Sequence, residues 1–236
     1  MTVSFNDTLE RFNRKERNLL IRTVLGHSQD ARIPLSRKFC DDLTGVLELR
    51  ETNPADVRWW TDYHLNWLVA ALRIFGDEAA VGMPQIRNSD IESNLEDLDL
   101  LVGIERPERY LIAIEAKNRR FNIEDRIQLK RKLNRLDPLR RGFADIEIGL
   151  HFMLMTPPSC DPNMDKGLKE ELKGWPWVYK HERIPWLPLM HCDAEQPLRL
   201  ECSCFGPDRR DGMKDHWRCT PERHRPKARN SPARDI

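Results

Sequence analysis

Two short apolar segments that can pair as a hairpin limit what this chain can fold into. Residues 100–104 and 111–114 are apolar and rich in branched side chains, as is typical of central strands. The five residues 105–109 between them predict a hairpin loop of the longer type. If this loop closes symmetrically, Ile104 pairs with Tyr110, and the register of the whole hairpin follows.

Charged side chains occupy the open end of this predicted hairpin. The same register places Asp99 opposite Glu115, and Lys117 lies two residues further along the same strand face. Residues that face each other across an antiparallel pair have Cβ atoms about 5 Å apart, and like charges there destabilise a sheet. A divalent cation would remove that cost, because Mg²⁺ binds one or two carboxylates together with water and substrate phosphate.

The combination of Asp99 with Glu115-Ala116-Lys117 resembles the PD-(D/E)xK nuclease superfamily over roughly residues 5–160. Leu98-Asp99 stands where many members have Pro-Asp, and uncharacterised bacterial members are more similar than restriction enzymes of known specificity. The resemblance implies a restriction-endonuclease-like core and a divalent-metal-dependent nuclease.

In that family the Asp and Glu bind Mg²⁺ or Mn²⁺, and the Lys positions or activates water. These roles fall on Asp99, Glu115 and Lys117, with the Ala116 carbonyl as a further metal ligand. An early-helix Glu and a Gln or Lys on the helix after the ExK strand are frequent auxiliaries. Glu16 and Gln128 are the matching positions.

A basic stretch follows the ExK segment directly. Residues 117–141 contain ten Lys or Arg and three acidic residues, a net charge of about +7 within a chain of net charge +1. Such a stretch is typical of a surface that binds phosphate backbones, and a solvated helix face is the simpler alternative. A helix is expected to follow and to end at Asp137-Pro138, and its apolar side is expected to consist of Ile123, Ile127, Leu129, Leu133 and Leu136. The side chains expected to contact nucleic acid, DNA in the first instance, are Arg119, Arg131, Lys132 and Arg135.

The chain order predicts an α/β fold of the α+β type, with a mixed sheet, N-terminal helices, a central hairpin and a βαβ crossover. Helices are expected over residues 7–25, 34–50, 55–75, 123–136 and 165–173, with strands at 81–91 and 151–155 and short extended pieces in the last third.

Glu16 is either an edge residue of the first helix or a metal-site auxiliary. Asp97 is the alternative to Asp99 as a ligand.

The expected organisation has four parts. Residues 1–80 form the helical part of the core, 81–160 the catalytic sheet, 161–219 an extension packed on it, and 220–236 a disordered basic tail. No apolar run approaches the ~20 residues of a membrane span, and no signal peptide begins the chain. The expectation is a cytoplasmic protein with reduced cysteines and no membrane contact.

Other signals carry less weight. His191, Cys192, Cys202, Cys204, His216 and Cys219 do not match the common zinc spacings. His151 lies within an apolar strand, where a histidine is more often structural than a base.

Three functions compete on this sequence. The first is the metal-dependent nuclease, which as a homodimer could cut both strands. The second is an inactive nucleic-acid-binding or interaction module on the same fold. The third is a structural role in which Lys117 neutralises Glu115.

Overall fold

The computed structural model describes residues 4–12, 15–24, 33–76 and 96–189 in full, and the backbone of 198–203 and 216–221. The first of its two compact units spans Met1–Met190. Its helices and strands are α1 (Phe5–Phe12), α2 (Glu16–Val24), α3 (Arg37–Val46), β1 (Val57–His64), α4 (Leu65–Gly76), β2 (Asp97–Ile104), β3 (Arg109–Ala116), α5 (Ile123–Asp145), β4 (Ile148–Thr156), α6 (Lys166–Leu172) and β5 (Trp186–Pro188).

These elements form a mixed α/β fold around one five-stranded sheet in the order β1-β2-β3-β4-β5. The pairs β1–β2 and β2–β3 are antiparallel, whereas β3–β4 and β4–β5 are parallel. The predicted fold class is therefore confirmed, as are the strand after α5 and its parallel pairing with β3. Helix α5 is the connection between those two parallel strands.

The register of the central hairpin is as predicted. Ile104 pairs with Tyr110, and the pairing continues to Leu100 and Ile114. The residues beyond that last pair are Asp99 and Glu115, so the two carboxylates lie at the same end of the hairpin. This placement follows from the antiparallel arrangement, which brings the start of β2 beside the end of β3.

The prediction of one helix over residues 55–75 is wrong for its first half. Residues 57–64 form β1, which pairs with β2, and only residues 65–76 form α4. Trp60 and Tyr63 are fully buried on this strand. Trp60 and Tyr63 are three residues apart, as on one face of a helix, yet both pack into the same core cluster. Asp62 between them has φ of 52°, and this turn of the backbone brings both side chains to one side of β1. Trp and Tyr are strand-favouring residues, and pairing with a central strand decides the outcome.

Helix α5 is longer than predicted and turns a different face to the sheet. It continues through Pro138 to Asp145, so the expected stop at Asp137-Pro138 is wrong. Asn122 and Asp125 form a reciprocal capping box at its start. Ile123 and Ile127, which were assigned to the buried face, are 76% and 46% exposed.

Both faces of the sheet are covered. One face packs on α1, α4, α5 and α6 through residues such as Leu9, Leu68 and Leu133. The other face packs on α3, where Cys40 and Leu43 contact the branched residues of β2 and β3. The single N-terminal helix expected over 7–25 is two helices, α1 and α2, and the α3 and α6 regions agree with their predictions within a few residues.

The second compact unit spans His191–Ile236 and contains an antiparallel pair, β6 (Leu198–Ser203) and β7 (His216–Pro221). The first two residues of the predicted disordered tail belong to β7. The rest of that tail and the predicted strand at 81–91 lie outside the described residues. Residues 161–189 belong to the first unit. The boundaries after residues 80, 160 and 219 that separate the four expected parts of the chain stay predictions.

Candidate functional site

The centre of the candidate site is the carboxylate of Glu115 near the end of β3. Glu115 is only 2% exposed, and each of its oxygens contacts a lysine. Its Oε1 lies 2.8 Å from Lys117 Nζ, and its Oε2 lies 2.6 Å from Lys132 Nζ. A carboxylate this deeply buried is stable only when it is paired. Here Lys117, which directly follows β3, and Lys132 on α5 are its two cationic partners.

Asp99 contacts the same strand end through the backbone. Its Oδ2 accepts a hydrogen bond of 2.7 Å from the Ala116 backbone N–H. The ladder of β2 and β3 has its last pair at Leu100 and Ile114, so this carboxylate provides the acceptor that the next backbone position would otherwise supply. Asp99, Glu115, Ala116 and Lys117, all predicted as site residues, are therefore brought together.

Lys117 is held as a cation. Its backbone N–H donates to the Met155 carbonyl at 2.9 Å, which fixes its position beside β4. Burial alone would lower the pKa of Lys117. The hydrogen bond and charge of Glu115, reinforced by Asp99 and Asp125, outweigh burial and raise that pKa above its ordinary value. The group can therefore orient and stabilise negative charge near Glu115.

Two residues predicted to contact nucleic acid point inward instead. Lys132 is 7% exposed and Arg135 is 9% exposed. Lys132 lies on the buried face of α5 between Leu129 and Leu136, at a spacing of three and four residues, so packing of that face carries the lysine to Glu115. Sequence reasoning assigned it to the outer face because it is charged, and its spacing from the leucines was the available signal.

A second polar group lies beside this centre, where β1 ends and β2 begins. Arg135 donates a hydrogen bond to the Asn66 side chain. The Asn66 backbone N–H in turn donates to His64 Nδ1 at 3.1 Å, and His64 pairs with Asp97 across the strands. Burial lowers the pKa of His64. Asp97, the alternative to Asp99 as a metal ligand, forms an ion pair with Lys15, with 2.7 Å between Asp97 Oδ2 and Lys15 Nζ.

Glu16 and Gln128 are both exposed and make no contact with Glu115. The helix that carries Glu16 turns Asn18 inward, and the neighbouring residue Arg17 pairs with Asp62 at 2.8 Å. Glu16 is therefore on the solvent side, the edge position that was the alternative to a site role. On the helix that carries Gln128, the residue that contacts the Glu115 carboxylate is Lys132.

The remaining predicted nucleic-acid contacts differ from each other. Arg131 is exposed on α5. Arg119 is about half exposed and forms two contacts with the carboxylate of Asp125, one of them 3.1 Å. Burial alone would raise the pKa of Asp125, but the hydrogen bond from Arg119 and the Asn122 backbone N–H outweigh it and lower that pKa.

The donor set can be compared with the needs of a metal ion. Among the described residues, no group of three or more His, Cys, Asp or Glu side chains is gathered to hold a metal. Asp99 and Glu115 instead lie at the same end of the hairpin beside Ala116. Two carboxylates and a backbone carbonyl form a donor set that suits Mg²⁺ or Mn²⁺ completed by water and substrate phosphate. Lys117 and Lys132 compete for the Glu115 oxygens, so binding of the ion alone is expected to be weak.

Comparisons with protein-family models, with curated proteins and with solved structures gave no match. The resemblance to the PD-(D/E)xK superfamily stays a prediction from Asp99 and the Glu115-Ala116-Lys117 segment. None of the helices that the structure describes has the length and apolar character needed to cross a membrane.

Proposed function

We propose that this protein is a divalent-metal-dependent nuclease of the PD-(D/E)xK type that hydrolyses phosphodiester bonds in DNA. One observation carries the proposal: Asp99 contacts the backbone of the Glu115-Ala116-Lys117 segment at the open end of a central hairpin. Asp99 and Lys117 are partly exposed, so a substrate can approach this end. The restriction-endonuclease-like core is part of the proposal, supported by the mixed sheet and its connections.

The proposed mechanism gives each residue of the site a separate role. Asp99 and Glu115 would hold the ion through their carboxylate oxygens, and the Ala116 carbonyl would be the third ligand. The bound Mg²⁺ or Mn²⁺ would lower the pKa of the attacking water and stabilise charge on the phosphate. Lys117, a cation beside Glu115, orients that water or the scissile phosphate and stabilises negative charge in the transition state. Lys132 holds the Glu115 carboxylate in position from α5, on the buried side of the site.

Cleavage of labelled DNA, with enzyme in excess over substrate, tests the proposal. Wild type should cut with Mg²⁺ or Mn²⁺ and not with a chelator, whereas Glu115→Gln and Lys117→Gln should lose activity while keeping their circular dichroism spectra. Lys38→Gln is the matched control, because Lys38 forms an exposed ion pair with Asp42 on α3. Equal cleavage by the site variants and the control would reject the proposal.

A binding or interaction module without catalysis is the second candidate. The observation that favours it is the engagement of both Glu115 oxygens by lysines, since such a triad can be purely structural. This alternative predicts salt-sensitive DNA binding without metal-dependent turnover. It also predicts that substitution of Glu115 lowers the free energy of unfolding, and that neither wild type nor variant cleaves DNA in a metal-dependent way.

Two further expectations belong to the nuclease proposal. A homodimer would present one site to each strand of a duplex, and light scattering of the purified protein measures its mass directly. A cytoplasmic location would be checked by cell fractionation.

A further inference from the structure

The outer face of α5 combines exposed apolar and basic residues. Ile123 is 76% exposed and Ile127 is 46% exposed. With Arg131 they recur every four residues, so all three lie on one side of the helix. Arg120 is exposed just before the helix begins. These four residues are named the α5 ridge.

The arginines of the α5 ridge differ from three neighbouring cations on α5 that form ion pairs. Arg126 pairs with Asp165, Lys130 pairs with Glu171, and Lys132 pairs with Glu115. Within the described part of the chain, neither Arg120 nor Arg131 forms an ion pair. Glu124 is the exposed acid next to the α5 ridge, so the surface keeps a net positive charge that suits a polyanion.

The position of the α5 ridge relates it to the candidate site. Arg120 follows Lys117 by three residues, and α5 begins three residues later. From Ile123 to Arg131 the helix rises about 12 Å. A stacked strand would place three or four nucleotides over this length at about 3.4 Å each, and an unstacked, extended strand would place fewer. Residues 117–122 connect the candidate site to α5, and Arg120 in this connection is the α5 ridge residue that follows Lys117 most closely in the sequence.

We propose that the α5 ridge binds a nucleic-acid segment with unstacked bases next to the scissile phosphate. Arg120 and Arg131 contact phosphates, and Ile123 and Ile127 contact base faces between them. In a regular duplex the base faces are covered by stacking, so these isoleucines would gain little there. The inference rests on the proposed nuclease function and adds its substrate class: DNA that is single-stranded or unpaired beside the cut.

Fluorescence anisotropy tests this assignment, with a labelled single-stranded oligonucleotide and the duplex of the same sequence, both in chelator to prevent cleavage. The double variant Ile123→Ser/Ile127→Ser should bind the single strand about tenfold more weakly, because it loses apolar contact area with the bases, and the duplex within about twofold of wild type. Arg131→Gln should weaken both and reduce the salt slope by about one. Val24→Ser is the matched control, because Val24 is 74% exposed on α2.

Three results would overturn the α5 ridge assignment. These are unchanged single-strand affinity of the double serine variant, an equal loss on single strand and duplex, and a loss of self-association in light scattering, which would assign the surface to a second copy of the chain. If any of these occurs while Glu115→Gln still abolishes metal-dependent cleavage, the assignment fails and the nuclease function stands. If one of these three results occurs and Glu115→Gln cleaves as well as wild type, the α5 ridge assignment and the nuclease function are both rejected.

Discussion

The pairing of Glu115 with Lys132 gives the sharpest quantitative prediction for the interior of the site. In Glu115→Leu, Lys132 keeps a side chain that is 9% exposed and loses its ion-pair partner. Stranding a buried charge in this way costs about 3–5 kcal/mol. In Lys132→Met, Glu115 retains Lys117 at 2.8 Å, so the expected cost is about 1–2 kcal/mol.

The double variant Glu115→Leu/Lys132→Met should recover most of this loss. Replacing both members of a buried ion pair with apolar residues of similar size is often nearly neutral. We therefore expect its free energy of unfolding within about 1 kcal/mol of wild type, and a coupling energy above about 2 kcal/mol. Guanidinium denaturation followed by tryptophan fluorescence measures all four proteins.

The same double variant separates stability from chemistry. If Glu115 is a metal ligand, the repacked protein is folded and stable but does not cleave DNA. Additive costs of the two single substitutions, with no coupling, would show that Glu115 and Lys132 do not interact and would refute the reasoning about this pair.

Three other perturbations probe separate features. Lys117→Met should reduce single-turnover cleavage at least about 100-fold and leave the free energy of unfolding within about 1 kcal/mol; comparable rates would remove Lys117 from the mechanism. Burial, with Lys180 nearby, lowers the pKa of His151 to about 4, so wild type should lose stability as pH falls from about 6.5 to about 4, on the order of 2 kcal/mol by pH 4.5. His151→Gln should lack that component in denaturant titrations at pH 7.5 and 4.5, and parallel pH profiles would contradict it. Asn122→Ala removes the cap of α5 and should cost about 1 kcal/mol in urea denaturation; no change would show that the cap adds nothing.

The central hairpin was predictable because its local signals agree with its tertiary role. Two branched apolar strands around a short polar loop fix one register, and that register alone places Asp99 and Glu115 at the same end. The strand β4 and its parallel partner were likewise predictable, because a strand, a helix and a strand in succession favour a crossover connection.

The errors share a physical cause, which is that non-local packing overrides local pattern. Trp60 and Tyr63 have a helical spacing, yet pairing of β1 with β2 makes them strand residues. Lys132 was assigned to solvent by its charge, although Glu115 provides a buried partner that sequence periodicity does not reveal. Ile123 was assigned to the core because it is apolar, but the first turns of α5 present that side to solvent.

Titration of Mn²⁺ by calorimetry, with and without a non-hydrolysable oligonucleotide, tests the proposed metal centre most directly. Wild type should bind the ion weakly alone, since two lysines compete for Glu115, and more tightly when substrate phosphate is present. Asp99→Asn and Glu115→Gln should lose this binding under both conditions. Equal Mn²⁺ binding by wild type and these variants, or none by wild type even with the oligonucleotide, would contradict the proposed nuclease mechanism.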